Sequence, residues 1–229
     1  MTPDHVVVIQ ARFSSSRLPG KVLADMNGSP MLGVLLDRLR TNEDVVVATS
    51  DERSDDTIAA FCEERAVTCV RGPLDDVLAR FVLAVEHVGN PPVVVRLTAD
   101  NPTVDRFAVE AALAALRHAP DPGVSNHHPG RINPYGYAVE ALRTSALSSL
   151  HRDLADDDPR REHVTAALWE RGLMLGFDLG ESEGAHLRWT VDFPADFTYV
   201  AELLRAVGRL FALEEGVEWS SLHPHPHAP

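Results

Sequence analysis

Lysine is almost absent from this chain of 229 residues, since Lys21 is the only lysine beside twenty arginines. A composition that uses arginine for ordinary positive charge has kept a compact ammonium group at one position. Such a point charge suits a phosphate oxygen in a crowded loop better than the planar fork of arginine. Lys21 ends the segment 10–21, which follows an apolar run at residues 6–9. We therefore expect this loop to bind the phosphates of a nucleotide.

Cysteine and net positive charge are also scarce. The two cysteines, Cys62 and Cys69, are too few for a disulfide framework, and their apolar neighbours favour burial as small hydrophobic residues. The formal net charge is −13, whereas nucleic acids are bound by basic surfaces, so a nucleic acid partner is not expected. An acidic chain with one basic loop fits a small anionic ligand that arrives with a divalent cation.

Long hydrophobic runs are missing as well. No run approaches the roughly 18–20 apolar residues of a membrane span, and residues 1–30 hold no apolar core of a signal peptide. We expect no membrane partner and a cytoplasmic location. The composition, with 45% hydrophobic and 24% charged residues, is that of a globular protein with enough apolar material for one α/β domain.

Apolar runs alternate with amphipathic segments through the first half of the chain. Strands are predicted at residues 6–10, 45–49, 67–70 and 92–97, and helices at 30–40, 54–65, 75–87 and 105–118. This alternation indicates a parallel sheet covered by helices on both faces. Folds of this kind bind their ligands at the carboxyl ends of the strands.

The pattern changes after Pro120. Residues 121–142 predict a strand, a loop and a second strand ending at 138–140, followed by a helix at 161–170, strands at 173–179 and 187–191, and a helix at 194–207. The segment 223–227 alternates histidine and proline. A metal-binding tract is one interpretation, and a loose polar end is the favoured one. No internal repeat or linker is evident, so a single domain over 1–229 is expected.

The loop 10–21 has the composition of a phosphate-binding loop. Its serines would let backbone N–H groups approach a phosphate closely, and its cations supply charge. It is not a Walker A loop, because Ser15 replaces the first glycine and Val22 replaces the metal-binding hydroxyl. The chain has no Gly-x-Gly-x-x-Gly pattern, which argues against a dinucleotide-dependent oxidoreductase. A solvated basic loop is the alternative.

Two aspartates stand directly after apolar runs. Asp100 follows the strand at 92–97, and Asp192 follows the run at 187–191 just before Pro194. Carboxylates at strand ends open onto the ligand crevice, and Mg²⁺ is commonly bound by one or two carboxylates together with substrate phosphates. The alternatives are a turn or helix cap for Asp100 and an N-cap for Asp192.

Other polar segments are less specific. Thr49 and Ser50 end the second predicted strand and could line a base or ribose pocket. Arg71 and Asp76 flank a helix start, where Asp76 is equally explicable as a helix starter. The segment 160–163 could bind an acceptor carboxylate or phosphate, or form a surface ion-pair cluster.

In combination these motifs resemble the cytidylyltransferases of the spore-coat polysaccharide type, which are relatives of acylneuraminate and Kdo cytidylyltransferases. The resemblance spans roughly residues 5–207 and rests on six segments in order: 10–21, 48–49, 71–78, 96–102, 161–165 and 188–192. It implies a three-layer α/β/α Rossmann-like nucleotidyltransferase fold with a mostly parallel mixed sheet, and a homodimer. It also implies a nucleotide-binding half at about 5–120, an acceptor-binding half at about 121–207 and a C-terminal tail at 208–229.

The residues and the resemblance together assign roles. Nucleotide binding falls to Gln10, Ala11, Arg12, Ser14, Ser15, Ser16, Lys21, Thr49, Ser50, Arg71, Asp76 and Thr98. Catalytic neutralisation of the triphosphate falls to Lys21, Arg12 and Arg17, acceptor binding to Asn126, Tyr137, Glu140, Arg161 and His163, and Mg²⁺ to Asp100 and Asp192. The expected reaction is in-line attack of an acceptor oxygen on the α-phosphorus of CTP with release of pyrophosphate.

The acceptor stays open. Ala138 stands where the family commonly has an acidic residue, although Glu140 is kept. His127 and His128 also give this segment an unusual composition. A sugar acid would need cations such as those at 131, 160 and 161, whereas a small phosphonate or phosphate-bearing acceptor is the competitor. A non-catalytic nucleotide-binding relative is the alternative of another class, and the two retained aspartates argue against it. A glycosyltransferase would usually carry an Asp-x-Asp motif, which the segment 100–102 is not.

Overall fold

A computed structural model describes residues 3–40, 44–181 and 183–226, and one seven-stranded sheet runs through them. Its strands are β1 His5–Gln10, β2 Val45–Ser50, β3 Thr68–Gly72, β4 Val93–Thr98, β5 Gly123–Ser125, β6 Glu140–Arg143 and β7 Met174–Gly176. The spatial order is β3-β2-β1-β4-β6-β5-β7. β6 is antiparallel to both of its neighbours and every other pair is parallel. The predicted mostly parallel mixed sheet is therefore confirmed.

Helices cover both faces of this sheet. They are α1 Met31–Leu39, α2 Asp56–Glu64, α3 Val77–His87, α4 Arg106–His118, α5 Thr144–Asp153, α6 Ala166–Glu170, α7 Pro194–Val207 and α8 Leu213–Leu222. Alternate side chains of a strand point to opposite faces. Accordingly Val7 and Ile9 of β1 pack in one core with α1, α4 and α7, whereas Val6 and Val8 pack in the other with α3 and α5. The result is the three-layer α/β/α architecture that the sequence predicts.

The prediction of a strand at 187–191 is wrong. This segment makes only an isolated bridge between Arg188 and Tyr135, and the N–H of Val191 donates to the carbonyl of Asp100 at 2.8 Å. Its apolar pattern records burial, because Trp189 and Val191 are both fully buried. The predicted strand ending at 138–140 is also displaced, since β6 begins at Glu140.

Two helices lie where none was predicted. α5 buries only Leu147 and Leu150, so its apolar signal is sparse. α8 lies in the predicted C-terminal tail and buries small residues beside Leu213. Within the segment 223–227, His225 is buried, which contradicts a loose end at that residue, whereas His223, Pro224 and Pro226 are exposed; His227 lies outside the described residues. No helix in the described ranges is both long and apolar enough to cross a membrane.

Candidate active site

The basic loop leaves the carboxyl end of β1 and turns back at Gly20. The carbonyl of Phe13 accepts hydrogen bonds from the N–H groups of Ser15 and Gly20, both at 2.9 Å. Gly20 has a φ of 74°, and a Cβ there would lie 3.0 Å from the Phe13 ring. A glycine is needed for both reasons. The turn delivers Lys21 to the edge of the sheet.

Lys21 joins the two aspartates that the sequence assigns to a metal. Its side chain is only 10% exposed, and its Nζ donates to the carbonyl of Val191 at 2.5 Å. The same nitrogen lies 3.5 Å from Oδ2 of Asp100 and 3.7 Å from Oδ1 of Asp192. One ammonium group therefore bridges carboxylates from the two halves of the chain, a role for a compact point charge.

Each carboxylate has a further partner. Thr98 donates to Oδ1 of Asp100 at 2.5 Å. Asp192 accepts from Arg17 on Oδ1 at 2.5 Å and from Arg188 on Oδ2 at 2.9 Å. The described residues contain no cluster of three or more His, Cys, Asp or Glu side chains able to hold a metal. Two carboxylates instead suit Mg²⁺, which keeps waters and takes substrate phosphates as its other ligands.

Asp196 fixes the turn that carries Asp192, and sequence reasoning missed it. It is fully buried, and its Oδ2 accepts from the N–H groups of Asp192 and Phe193 at 2.8 and 2.9 Å. Burial alone would raise the pKa of Asp196, but hydrogen bonds from Arg188 and these N–H groups outweigh it, and the pKa is lowered. The signal in the sequence is its position two residues after Pro194, in the first turn of α7.

Two adjoining cavities meet at this junction. The first, which we term the loop chamber, has about 210 Å³ and is lined by Gln10, Ala11, Arg12, Ser15, Ser16, Arg17, Lys21, Val22, Val77, Arg80, Thr98, Ala99, Asp100, Glu162, His163 and Asp192. The second, the outer chamber, has about 430 Å³ and is lined by Gln10, Arg17, Arg96, Thr98, Asp100, Asn101, His127, Tyr135, Gly136, Ala138, Glu140, His163, Thr190 and Asp192. Asp100, Asp192 and His163 line both, so they stand at the boundary.

Most of the predicted nucleotide residues in the loop line the loop chamber, whereas Ser14 is exposed and outside its lining. Thr49 and Ser50 are fully buried and donate to the carboxylate of Asp55. Asp55 in turn accepts from the N–H of Phe13 at 2.7 Å. Thr49 and Ser50 therefore shape the loop through Asp55, a residue that sequence reasoning missed because nothing distinguishes it from its acidic neighbours.

Two other predicted site residues bind each other. Arg161 is buried and donates to Oδ2 of Asp76 at 2.7 and 2.9 Å. Asp76 also caps α3, accepting from the N–H of Ala79 at 2.8 Å. Neither is among the described residues that line the chambers. Arg71 is likewise engaged, with Asp56 at 2.8 Å. The charged groups of all three side chains are therefore paired with other protein groups.

The predicted acceptor residues divide in the same way. Glu140 lines the outer chamber and is held by Arg96 at 2.7 Å, and His163 lines both chambers. Tyr137 is fully buried, and its hydroxyl donates to Oδ1 of Asp105 at 2.7 Å. The buried Asn126 donates to the carbonyl of Tyr137 at 2.6 Å. Tyr137 and Asn126 therefore belong to the core around the chamber.

Several lining residues were not predicted. Arg80 is a buried cation in the loop chamber that donates to the carbonyls of Pro73 and Leu74 at 2.8 and 2.7 Å. Its signal is an arginine within the otherwise apolar face of α3. Asn101 of the outer chamber is 8% exposed. Its Oδ1 has no hydrogen-bond partner among the described residues, which no pattern in the sequence reveals.

Comparison with known proteins identifies the family of this chain. A family model described as Cytidylyltransferase matches residues 6–202. The spore coat polysaccharide biosynthesis protein SpsF of Bacillus subtilis is 32% identical over 216 residues, covering 90% of this chain and 88% of that protein. A 3-deoxy-manno-octulosonate cytidylyltransferase of Vibrio cholerae is 35% identical over 117 residues, covering 43% of this chain and 45% of the relative.

Solved structures share the fold. A cytidylyltransferase from Leptospira borgpetersenii superposes with a TM-score of 0.88 at 24% identity, covering 96% of this chain and 95% of that one. The structure of a CMP:2-keto-3-deoxy-manno-octonic acid synthetase complexed with CTP superposes with a TM-score of 0.64 at 23% identity, covering 89% and 99%. The family model spans most of the chain, over a range that contains the loop and the positions of both aspartates. The chain therefore belongs to the cytidylyltransferase family.

Proposed function

We propose that this chain transfers CMP from CTP to a sugar acid in a Mg²⁺-dependent reaction that releases pyrophosphate. The observation that carries the proposal is the junction at Lys21, where one ammonium group lies within 3.7 Å of two carboxylates. This junction stands between two chambers, as a transfer between two substrates requires. The Vibrio cholerae relative, whose name gives 3-deoxy-manno-octulosonate as its acceptor, supports a sugar acid.

The loop chamber suits the triphosphate. Arg12 and Lys21 lie on its wall and would compensate the charge that moves onto the leaving pyrophosphate. Asp100 and Asp192 would hold Mg²⁺, which when bound neutralises phosphate oxygens and polarises the phosphoryl group under attack. Arg17 pairs with Asp192 here, and it would transfer to a phosphate when that carboxylate takes a cation. These residues act by positioning and electrostatics.

The outer chamber suits an anionic, hydroxyl-bearing acceptor. Arg17 and His163 supply positive or proton-donating groups at its boundary with the loop chamber. Asn101 contributes a buried carbonyl oxygen that lacks a partner among the described residues. Such an oxygen is costly to leave unpaired, and a hydroxyl donor of the acceptor would satisfy it. The small side chain of Ala138 leaves the chamber open beside Glu140.

Pyrophosphate release tests the proposal. We would measure it with Mg²⁺, each of the four nucleoside triphosphates and a panel of sugar acids and small phosphonates. We expect release with CTP and a sugar acid, and loss of release in Asp100→Ala and Asp192→Ala. Asp153→Ala, which removes an exposed carboxylate on α5, is the matched control and should retain activity.

The other outcomes separate the alternatives. Release with a phosphonate alone would replace the sugar acid by the smaller acceptor. CTP binding by calorimetry without release for any pair would identify a non-catalytic relative and overturn the proposal. A homodimer is a further expectation from the family resemblance, and sedimentation equilibrium of the full chain tests it separately.

A further inference from the structure

The C-terminal segment, residues 213–226, packs against the segment that presents Asp192. Trp189 donates from its indole nitrogen to the hydroxyl of Ser220 at 2.9 Å. Gly216 approaches the same ring so closely that a Cβ would lie 2.9 Å from it. The family model ends its match at residue 202, so these contacts come from a part of the chain beyond the matched region.

His225 makes the most direct of these contacts. Its side chain is 2% exposed, and its Nε2 lies 3.1 Å from Oδ1 of the fully buried Asp196. The ring centroid lies 4.5 Å from that of Tyr199, whose hydroxyl donates to the carbonyl of His223 at 2.9 Å. An Nε2–H would face this carboxylate with its positive end.

The two carboxylate oxygens of Asp196 contact different groups. Oδ2 accepts from the N–H groups of Asp192 and Phe193 at 2.8 and 2.9 Å. Oδ1 contacts His225 on one side and accepts from Nε of Arg188 at 3.1 Å on the other. Because Arg188 also donates to Asp192, the orientation of Asp196 affects both the backbone of Asp192 and one of its side-chain partners.

We propose that His225 is a positioning residue for Asp192, which it reaches through Asp196. The part of the inference that concerns Mg²⁺ rests on the proposed function, whereas the part that concerns the 192–196 turn does not. Without the imidazole, Arg188 remains as the described partner of Oδ1, and the space left beside this oxygen lets the carboxylate tilt. Tilting weakens the two N–H hydrogen bonds to Oδ2 that hold the turn, and the Asp192 carboxylate shifts with them.

Three variants of the full chain test this step. His225→Ala removes the contact, and His225→Gln restores a donor of similar reach. His223→Ala is the matched control, because it removes an imidazole from the same segment that stacks on Trp219 at 4.3 Å without a described contact to Asp196. Circular dichroism and thermal melting first establish that each variant folds.

Hydrogen exchange read by mass spectrometry gives a readout that needs neither metal nor activity. We expect His225→Ala to speed exchange of the Asp192 and Phe193 amides by about tenfold, while the amides of β1 and β4 stay at the wild-type rate. His225→Gln should lie between the two, and His223→Ala should match the wild type. Unchanged exchange at 192–193, or an equal increase throughout the sheet, would overturn a positioning role.

Metal binding is the second readout. Mn²⁺ serves as the probe, and the paramagnetic resonance signal of the free ion reports binding in the presence of CTP. We expect His225→Ala to weaken Mn²⁺ binding by about tenfold, the lower end of the loss for residues behind a metal ligand, with CTP affinity changed less than twofold. Faster local exchange with unchanged Mn²⁺ affinity would refute the link to the metal carboxylate. Wild-type protein that binds no Mn²⁺ would refute the proposed function, and exchange would still decide the role of His225 in the turn.

Discussion

Replacement of Lys21 by arginine tests the proposed site sharply, because the change keeps the charge and alters its shape. The Lys21 ammonium is held by the Val191 carbonyl and lies within 3.7 Å of the carboxylates of Asp100 and Asp192. Its side chain is 10% exposed, so there is little room for a larger group. A guanidinium is wider and reaches farther, and it therefore displaces at least one of these partners.

The magnitude follows from the kind of contact that is lost. Removal of one preorganised electrostatic contact to a transition state lowers the rate by about 10²- to 10³-fold, or ~2.7–4 kcal/mol. We expect Lys21→Arg to lower kcat/KM for CTP within this range, measured by pyrophosphate release at saturating acceptor. Lys21→Met should cost at least as much, because two neighbouring carboxylates then lose their shared cation.

The control is the opposite substitution, arginine to lysine, at an exposed position. Arg205→Lys on α7 changes the same pair of residue types where the side chain is solvated, and it should leave kcat/KM within twofold of the wild type. If Lys21→Arg retained wild-type kcat/KM while Asp100→Ala abolished release, the ammonium would have no special role. The argument from the single lysine of this chain would then be refuted.

Three further changes have distinct expected outcomes. Asn101→Ala should raise the KM of the acceptor about five- to tenfold, since one hydrogen bond is lost, while calorimetry shows unchanged CTP affinity; a change in CTP affinity alone would contradict this. Tyr137→Phe should lower the free energy of unfolding in urea by about 1 kcal/mol with kcat/KM retained, and a selective loss of activity would return Tyr137 to the acceptor site. Burial alone would raise the pKa of Asp44, but the imidazole of His5 at 2.8 Å and a hydrogen bond from Arg106 lower it to about 2. The ionised carboxylate therefore adds about 1 kcal/mol, after solvent screening, to the free energy of unfolding of the wild type at pH values above the unfolded pKa near 3.9. This contribution is lost as the pH falls through 2. Acid unfolding of Asp44→Asn should lack this pH dependence.

The sequence predicts the first half of the fold well because burial and pairing coincide there. The strands β1 and β2 are buried on both faces and appear as continuous apolar runs, and β4 does so except at Arg96. In the segment 187–191 the two signals separate. Its side chains are buried, but its backbone bonds to loops near Tyr135 and Asp100. The periodicity of apolar residues in a sequence indicates only which side chains are buried. Whether the backbone of such a segment pairs with a strand or with a loop is set by the tertiary fold.

The candidate site shows the same difference between what residue types indicate and what the tertiary fold decides. The single lysine and the aspartates after apolar runs were visible because residue type and position pointed to chemistry. Asp76 and Arg161 carry the same residue types, yet they pair with each other at 2.7 Å and lie outside the chambers. Whether a charged residue faces a ligand or another residue depends on contacts between segments far apart in the chain, which spacing does not encode.

The supporting residues that sequence reasoning missed share one physical property, which is burial of a charged group. Asp55 holds the basic loop through Phe13, and Asp196 holds the turn of Asp192. Both are fully buried carboxylates whose cost of burial is offset by several hydrogen bonds. Their hydrogen bonds fix the two walls of the loop chamber before any ligand binds. A preorganised site of this kind avoids ordering the groups during the reaction, so changes at Asp55 and Asp196 should act on kcat even though neither residue lines a chamber.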